Sequence, residues 1–109
     1  MSDQLGAVFA ALSDPTRRRM LDALMQDGTT SVPKLTSELP ITRQAVAKHL
    51  ATLDQAGLIE RTPAGGREVT YRLRPEGLHE AATWLVEADA AWQRRLDRLK
   101  QVVEGKVKR

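Results

Sequence analysis

One short run in the middle of the chain concentrates side chains able to read a nucleic acid. Arg43, Gln44, Ala47 and Lys48 follow one another at i, i+1, i+4 and i+5, which puts them on one side of a helix. Arginine offers a donor fork for guanine or phosphate, glutamine an amide that matches adenine, and alanine permits close approach. Lys48 adds a point charge suited to phosphate. No acid occurs from Leu39 to Leu53, and phosphate would repel one there. Thr42 stands just ahead of the run, where its hydroxyl can both cap the helix and touch phosphate. His49, beside Val46, is expected to be half-buried support rather than a base contact. Lys34, Thr36 and Ser37 lie upstream and suit the sugar-phosphate backbone, contacts that orient a protein without reading sequence. Downstream, Arg67 beside Gly65-Gly66 suits phosphate or a narrow minor groove. Arg61, Thr62 and Thr70 are secondary candidates.

The surrounding pattern supplies the elements that would hold these residues. Leu5, Val8, Phe9 and Leu12 make one apolar stripe on a first helix. Asp14 can cap a second helix, with Pro15 at its first position. That helix is expected over 15–26, with Met20, Leu21, Leu24 and Met25 inward, and Asp27-Gly28 ends it. A short third helix starts at Ser31 or Val32, buries Leu35 and Leu39, and stops at Pro40. Thr42 then caps a helix reaching Ala56, with Val46, Leu50 and Leu53 as its core residues and Gly57 as its C′ residue. The interruption Leu39-Pro40-Ile41-Thr42 has room only for a tight turn, the mark of a helix-turn-helix.

Beyond Gly57 the period changes to two. Leu58 to Thr62 reads as a strand, Ala64-Gly65-Gly66 as a turn, and Glu68 to Leu73 as a second strand with Val69, Tyr71 and Leu73 on one face. A two-stranded hairpin is marginal alone and must lean on the helices. A final helix from Pro75 or Glu76 to about Glu104 would be on the order of 40 Å long. Leu78, Leu85, Trp92 and Leu99 recur along it every seven residues, widened by Ala81, Ala82, Ala88, Leu96 and Val103. Such a helix overhangs a small domain, so its apolar face calls for a second copy of the chain. The pairing is expected through the first and last helices, with Leu5, Val8, Phe9, Leu12, Leu78, Ala82, Leu85 and Trp92 at the interface.

The order of elements describes a mostly α fold with a β-hairpin wing, a winged helix-turn-helix. The expected organisation is one DNA-binding and dimerisation domain over 1–104 and a disordered basic tail over 105–109. With 109 residues the chain has room for one domain. Its 17 Lys+Arg against 14 Asp+Glu leave a net charge of +3, set by basic stretches over 34–49, 60–74 and 94–109. That distribution fits a polyanionic partner. No cysteine is present and only two histidines, His49 and His79, so no metal site and no cofactor is expected. Neither histidine has a nearby acid or serine in a recognisable motif, and Gly65-Gly66 precedes a strand rather than a helix, so no enzyme is expected. No apolar run could span a bilayer, and Met1-Ser2-Asp3-Gln4 does not open a secretion signal. A cytoplasmic protein is the expectation.

Several of these stretches together resemble the ArsR/SmtB family of bacterial winged-helix repressors. They are Leu12-Ser13-Asp14-Pro15-Thr16-Arg17, the run from Ile41 to Leu50, the run Leu53-Asp54-Gln55-Ala56-Gly57-Leu58, and the wing end Val69-Thr70-Tyr71-Arg72-Leu73. The resemblance covers roughly residues 5–85. It implies a homodimeric, operator-binding transcriptional repressor, with DNA contacts at Arg43, Gln44, Ala47 and Lys48. It also marks a departure. Metal-sensing members carry Cys-x-Cys on the third helix, where this chain has Ser31-Val32-Pro33, and the last helix has only His79 among its acids. The expectation is a metal-independent regulator bound as a homodimer to an inverted-repeat operator in double-stranded DNA, its small-molecule effector, if any, unnamed. The alternative is a winged helix that contacts another protein, which would call for an acidic or apolar recognition face.

Overall fold

A computed structural model describes residues 3–63 and 68–107. Its elements run α1 (Asp3–Leu12), α2 (Pro15–Asp27), β1 (Thr29–Thr30), α3 (Val32–Glu38), α4 (Arg43–Gln55), β2 (Ile59–Pro63), β3 (Val69–Leu73) and α5 (Pro75–Val107). Each helix of the helix-turn-helix unit starts on a side-chain cap. Asp14 accepts from the Arg17 N–H, Ser31 from the Lys34 N–H and Thr42 from the Ala45 N–H. Each cap satisfies a donor that the first turn leaves orphaned. Leu39 leaves α3 in extended conformation, as a residue before proline must. Only Leu39 to Thr42 then separate α3 from α4.

Glycine is required at the far end of α4. Gly57 has φ +76°, its N–H donates to the Asp54 carbonyl, and the Leu58 N–H donates back to the Leu53 carbonyl. This pair of bonds is a Schellman ending, which needs a left-handed residue at that position. It turns the chain into β2 and delivers Leu58 and Ile59 to the core.

That core is one cluster. Leu5, Val8 and Ala11 of α1 meet Met20, Leu21 and Leu24 of α2, Leu35 of α3, and Val46, Leu50 and Leu53 of α4. Leu58, Ile59 and Ala81 close it. The apolar spacing in the first four helices therefore has the expected destination, except that Leu39 is half-buried against the core rather than buried and Met25 lies outside it. Met25 is 58% exposed; it follows Leu24 around the helix onto the solvent side of the stripe.

The sheet has three strands in the order β1-β3-β2, all antiparallel, where the sequence suggested two. β1 pairs Thr29 with Arg72 and Thr30 with Tyr71. Two residues are too few to show a period of two. Gly28, with φ +83°, ends α2 and lays them beside β3. Within the wing, β2 and β3 pair from Ile59↔Leu73 to Pro63↔Val69, and Arg72 forms an ion pair with its cross-strand neighbour Glu60. The turn 64–67, with Arg67, lies outside the described residues.

The last helix is longer than its periodicity alone suggested. It continues through the expected tail boundary to Val107, and residues 108 and 109 lie outside the described residues. Its 33 residues amount to roughly 50 Å at 1.5 Å each. The radius of gyration is 19.9 Å, against about 13 Å for a compact chain of this length. The difference is the distal part of α5, which projects from the body.

Candidate nucleic-acid interface

One side of α4 is taken up by packing. Val46, Leu50 and Leu53 are fully buried, and Ala45 and His49 are half-buried. What remains on the first two turns is Thr42, Arg43, Gln44, Ala47 and Lys48, all exposed. The face carries two cations, one amide and a small residue, with no carboxylate among them.

Hydroxyl bookkeeping separates the polar candidates. The Thr42 Oγ1 accepts from the Ala45 N–H at 3.1 Å, so its own O–H is available to donate to a phosphate. The Thr36 hydroxyl donates to the Val32 carbonyl at 2.7 Å, and the Ser37 hydroxyl to the Lys34 carbonyl at 2.7 Å. The Thr70 hydroxyl donates to the Thr62 carbonyl. Those three donors are engaged and would have to rotate to meet DNA. Lys34 is exposed and holds Asp27 at 3.0 Å, a surface pair that a phosphate can displace because such pairs contribute little.

The wing and the recognition helix are brought together. Arg43 of α4 and Arg61 of β2 border one shallow cleft of about 270 Å³, floored by Pro33, Val69 and Tyr71 and edged by Glu68. Sequence spacing could not pair Arg43 with Arg61; the fold brings them to one cleft. Arg67, the leading wing candidate, lies outside the described residues.

One residue at this site escaped the sequence reading. Arg17 reaches back from the first turn of α2 to the end of α1, where its Nε donates to the Ala11 carbonyl at 2.8 Å and its Nη2 to the Ala10 carbonyl at 3.2 Å. A guanidinium there satisfies orphan carbonyls and complements the negative end of the helix. Its Nη1 lies 3.4 Å from Nδ1 of His49 on α4. The signal that could have found it is an arginine two positions after an Asp-Pro helix start, close enough to fold over the preceding helix end. His49 is the half-buried support the sequence suggested, and Asp14 Oδ2 sits 4.0 Å from the same Nδ1. The Arg17 backbone N–H holds the Asp14 carboxyl below the usual carboxylate range; desolvation opposes this, and the positive charge of Arg17, that of His49 when protonated, and the Thr16 backbone N–H add to it.

The residues expected at a dimer interface divide in two. Leu5 and Val8 are buried inside the chain's own core. Phe9, Leu12 and Leu78 are half-buried, and Ala82, Leu85 and Trp92 are exposed. Phe9 meets Trp84 edge to face with ring centroids 5.5 Å apart, which ties α1 to α5. Beyond that contact Leu85, Trp92, Leu96, Leu99, Val102 and Val103 are all at least half exposed. Among the described residues, no group of three His, Cys, Asp or Glu could hold a metal ion, and no helix is long and apolar enough to cross a membrane.

Comparison with known proteins follows the same outline. A family described as a helix-turn-helix domain matches residues 12–62. The HTH-type transcriptional regulator Rv2034 of Mycobacterium tuberculosis is 38% identical over 97 residues, covering 89% of this chain and 86% of the relative. The transcriptional repressor SdpR of Bacillus subtilis is 32% identical, covering 72% of this chain and 86% of its own. An ArsR-like transcriptional regulator from Rhodococcus sp. RHA1 superposes with a TM-score of 0.85 at 42% identity, over 94% of this chain and 92% of that one. The homodimeric winged helix-turn-helix domain Mb0332 from Mycobacterium bovis, a possible ArsR-family regulator, superposes with a TM-score of 0.64 at 27% identity, over 80% of each chain.

Proposed function

This chain belongs to the ArsR family of winged helix-turn-helix transcriptional regulators, and from that premise we propose that it is a repressor that binds an inverted-repeat operator as a homodimer. The observation that carries the reading is the exposed, acid-free face Thr42-Arg43-Gln44-Ala47-Lys48 on the second helix of the helix-turn-helix. Laid in a major groove, this face brings Arg43 and Gln44 to base edges, which present a distinct pattern for each base pair. Lys48 and the Thr42 hydroxyl meet phosphate on either side. Arg61, with Arg67 and Thr70 of the wing, contacts the adjacent backbone or groove. Lys34, Thr36 and Ser37 of α3 hold the register.

A two-fold dimer through α1 and α5 sets two such helices about one turn of DNA apart, so the operator repeats in inverted orientation. Occupancy of that site excludes polymerase from an overlapping promoter. The repressor named among the relatives and the homodimer among the structural neighbours support both halves of this reading. Residues 1–104 act as one folding and binding unit. No metal controls it: cysteine is absent, and the described residues offer no cluster of ligands.

Selection of bound duplexes from a random DNA pool tests the proposal. The winner is then titrated against salt, with and without Zn²⁺. An enriched inverted repeat, bound equally with and without zinc, is the expected result. General, salt-sensitive binding without enrichment would overturn it.

A further inference from the structure

The recognition helix touches the α1–α2 junction through a polar bridge that ordinary core packing does not require. The guanidinium of Arg17 caps the last carbonyls of α1 through Nε and Nη2 and turns its remaining nitrogen, Nη1, to Nδ1 of His49 at 3.4 Å. An arginine can only donate, so the contact is a hydrogen bond in the tautomer whose Nδ1 accepts and whose proton sits on Nε2. His49 directly follows Lys48 and precedes the buried Leu50. A rotation of α4 that moves His49 therefore moves the DNA-reading face with it. At the other end, α1 is tied to α5 by the edge-to-face pair Phe9–Trp84, so the bridge spans from the helices that cover the proposed dimer face to the helix that reads DNA.

We propose that Arg17 and His49 form a strut that sets α4 against the α1/α5 pair, making His49 a positioning residue for operator recognition whose protonation weakens site-specific binding. The inference rests on the operator-binding reading above. Protonated, Nδ1 can no longer accept from Arg17, and a second positive charge faces the guanidinium. The charged groups that the described structure sets against His49 are Arg17 and Asp14, both from the start of α2. Asp14, held below the usual carboxylate range, stays ionised at neutral and mildly acidic pH. It offers the imidazolium a new partner 4.0 Å away, and the ring re-aims from Arg17 to Asp14, taking α4 with it. Non-specific affinity should move the other way, since an added positive charge favours any duplex. The telling quantity is the ratio of the two affinities.

The test uses the full chain, the duplex recovered by selection and a scrambled duplex of the same length. Wild type should discriminate between them at pH 8 and lose about tenfold of that ratio by pH 5.5. His49→Phe removes the acceptor but keeps a planar ring; it should show the reduced ratio at every pH, with its dimerisation and scrambled-duplex affinity retained. His49→Asn replaces Nδ1 with an amide oxygen that accepts and does not titrate; it should restore discrimination and hold it flat across the range. Should His49→Phe fail to fold, the wild-type and His49→Asn pH profiles decide the matter by themselves. A wild-type ratio that does not change with pH, or a folded His49→Phe protein that discriminates as well as wild type, would overturn the strut while leaving operator binding intact. No discrimination by wild type at any pH would instead overturn the operator-binding reading and the strut with it.

Discussion

Arg43 and Lys48 are both exposed cations on one helix face, yet they are expected to fail differently when removed. A paired contact from arginine to a base edge is lost only at the cognate site, so Arg43→Ala should cost about 1–3 kcal/mol there and much less on random DNA. Equal losses on both duplexes, measured by fluorescence anisotropy, would reduce Arg43 to a phosphate contact. Asp14 carries a different kind of expectation. Its folded pKa is lowered, so its stabilising effect is complete above the unfolded carboxylate range and is lost as pH falls through the folded value. Asp14→Asn retains a capping oxygen and removes the charge. Thermal melts should then show a shallower loss of stability between about pH 5 and pH 2 than wild type. A variant whose acid limb matches wild type would show that Asp14 contributes no such dependence. The exposed face and the Asp14 cap were legible in the sequence, because both depend on residues within one helical turn. The Arg17–His49 contact was not, since thirty-two positions separate its members and only the packing of α4 on α1 and α2 brings them together.

At the scale of elements, local signals named every helix and both wing strands, and missed what local signals cannot carry. The caps Asp14, Ser31 and Thr42 and the glycines Gly28 and Gly57 set the boundaries to within a residue or so. β1 has no local signature; it exists because Tyr71 and Arg72 offer it a backbone edge. Gly57 is the most exacting of these positions. An added Cβ would lie 3.0 Å from Gln4 Nε2, which itself donates to the Ala56 carbonyl at 2.5 Å, and the backbone there is left-handed. Gly57→Ala should therefore destabilise the fold by roughly 1–2 kcal/mol. Urea denaturation measures this directly, and an unchanged midpoint would mean the turn tolerates a side chain.

The whole molecule is shaped by α5. Its apolar stripe has more length than the chain's own core can cover, and Leu85 at 52% and Trp92 at 58% exposure mark where that cover ends. Arg95 folds over the Trp92 ring at 5.3 Å, shielding part of it as a cation can. Leu85→Glu places a charge in the centre of the proposed interface. It should shift the protein toward monomer in sedimentation and weaken operator binding in step. An unchanged sedimentation profile would move the interface elsewhere. Read in order along the chain, the sequence by itself determined the helices, their caps, the turn between α3 and α4 and the composition of the reading face, because each of these follows from spacing and side-chain type over a few residues. Tertiary structure alone decided that Leu5 and Val8 enter the chain's own core, that Arg43 and Arg61 share a cleft, that Thr29 and Thr30 complete the sheet, and that Arg17 reaches His49 of α4. Those outcomes depend on which faces meet across long stretches of chain, and burial of one common core, rather than any local preference, settles that.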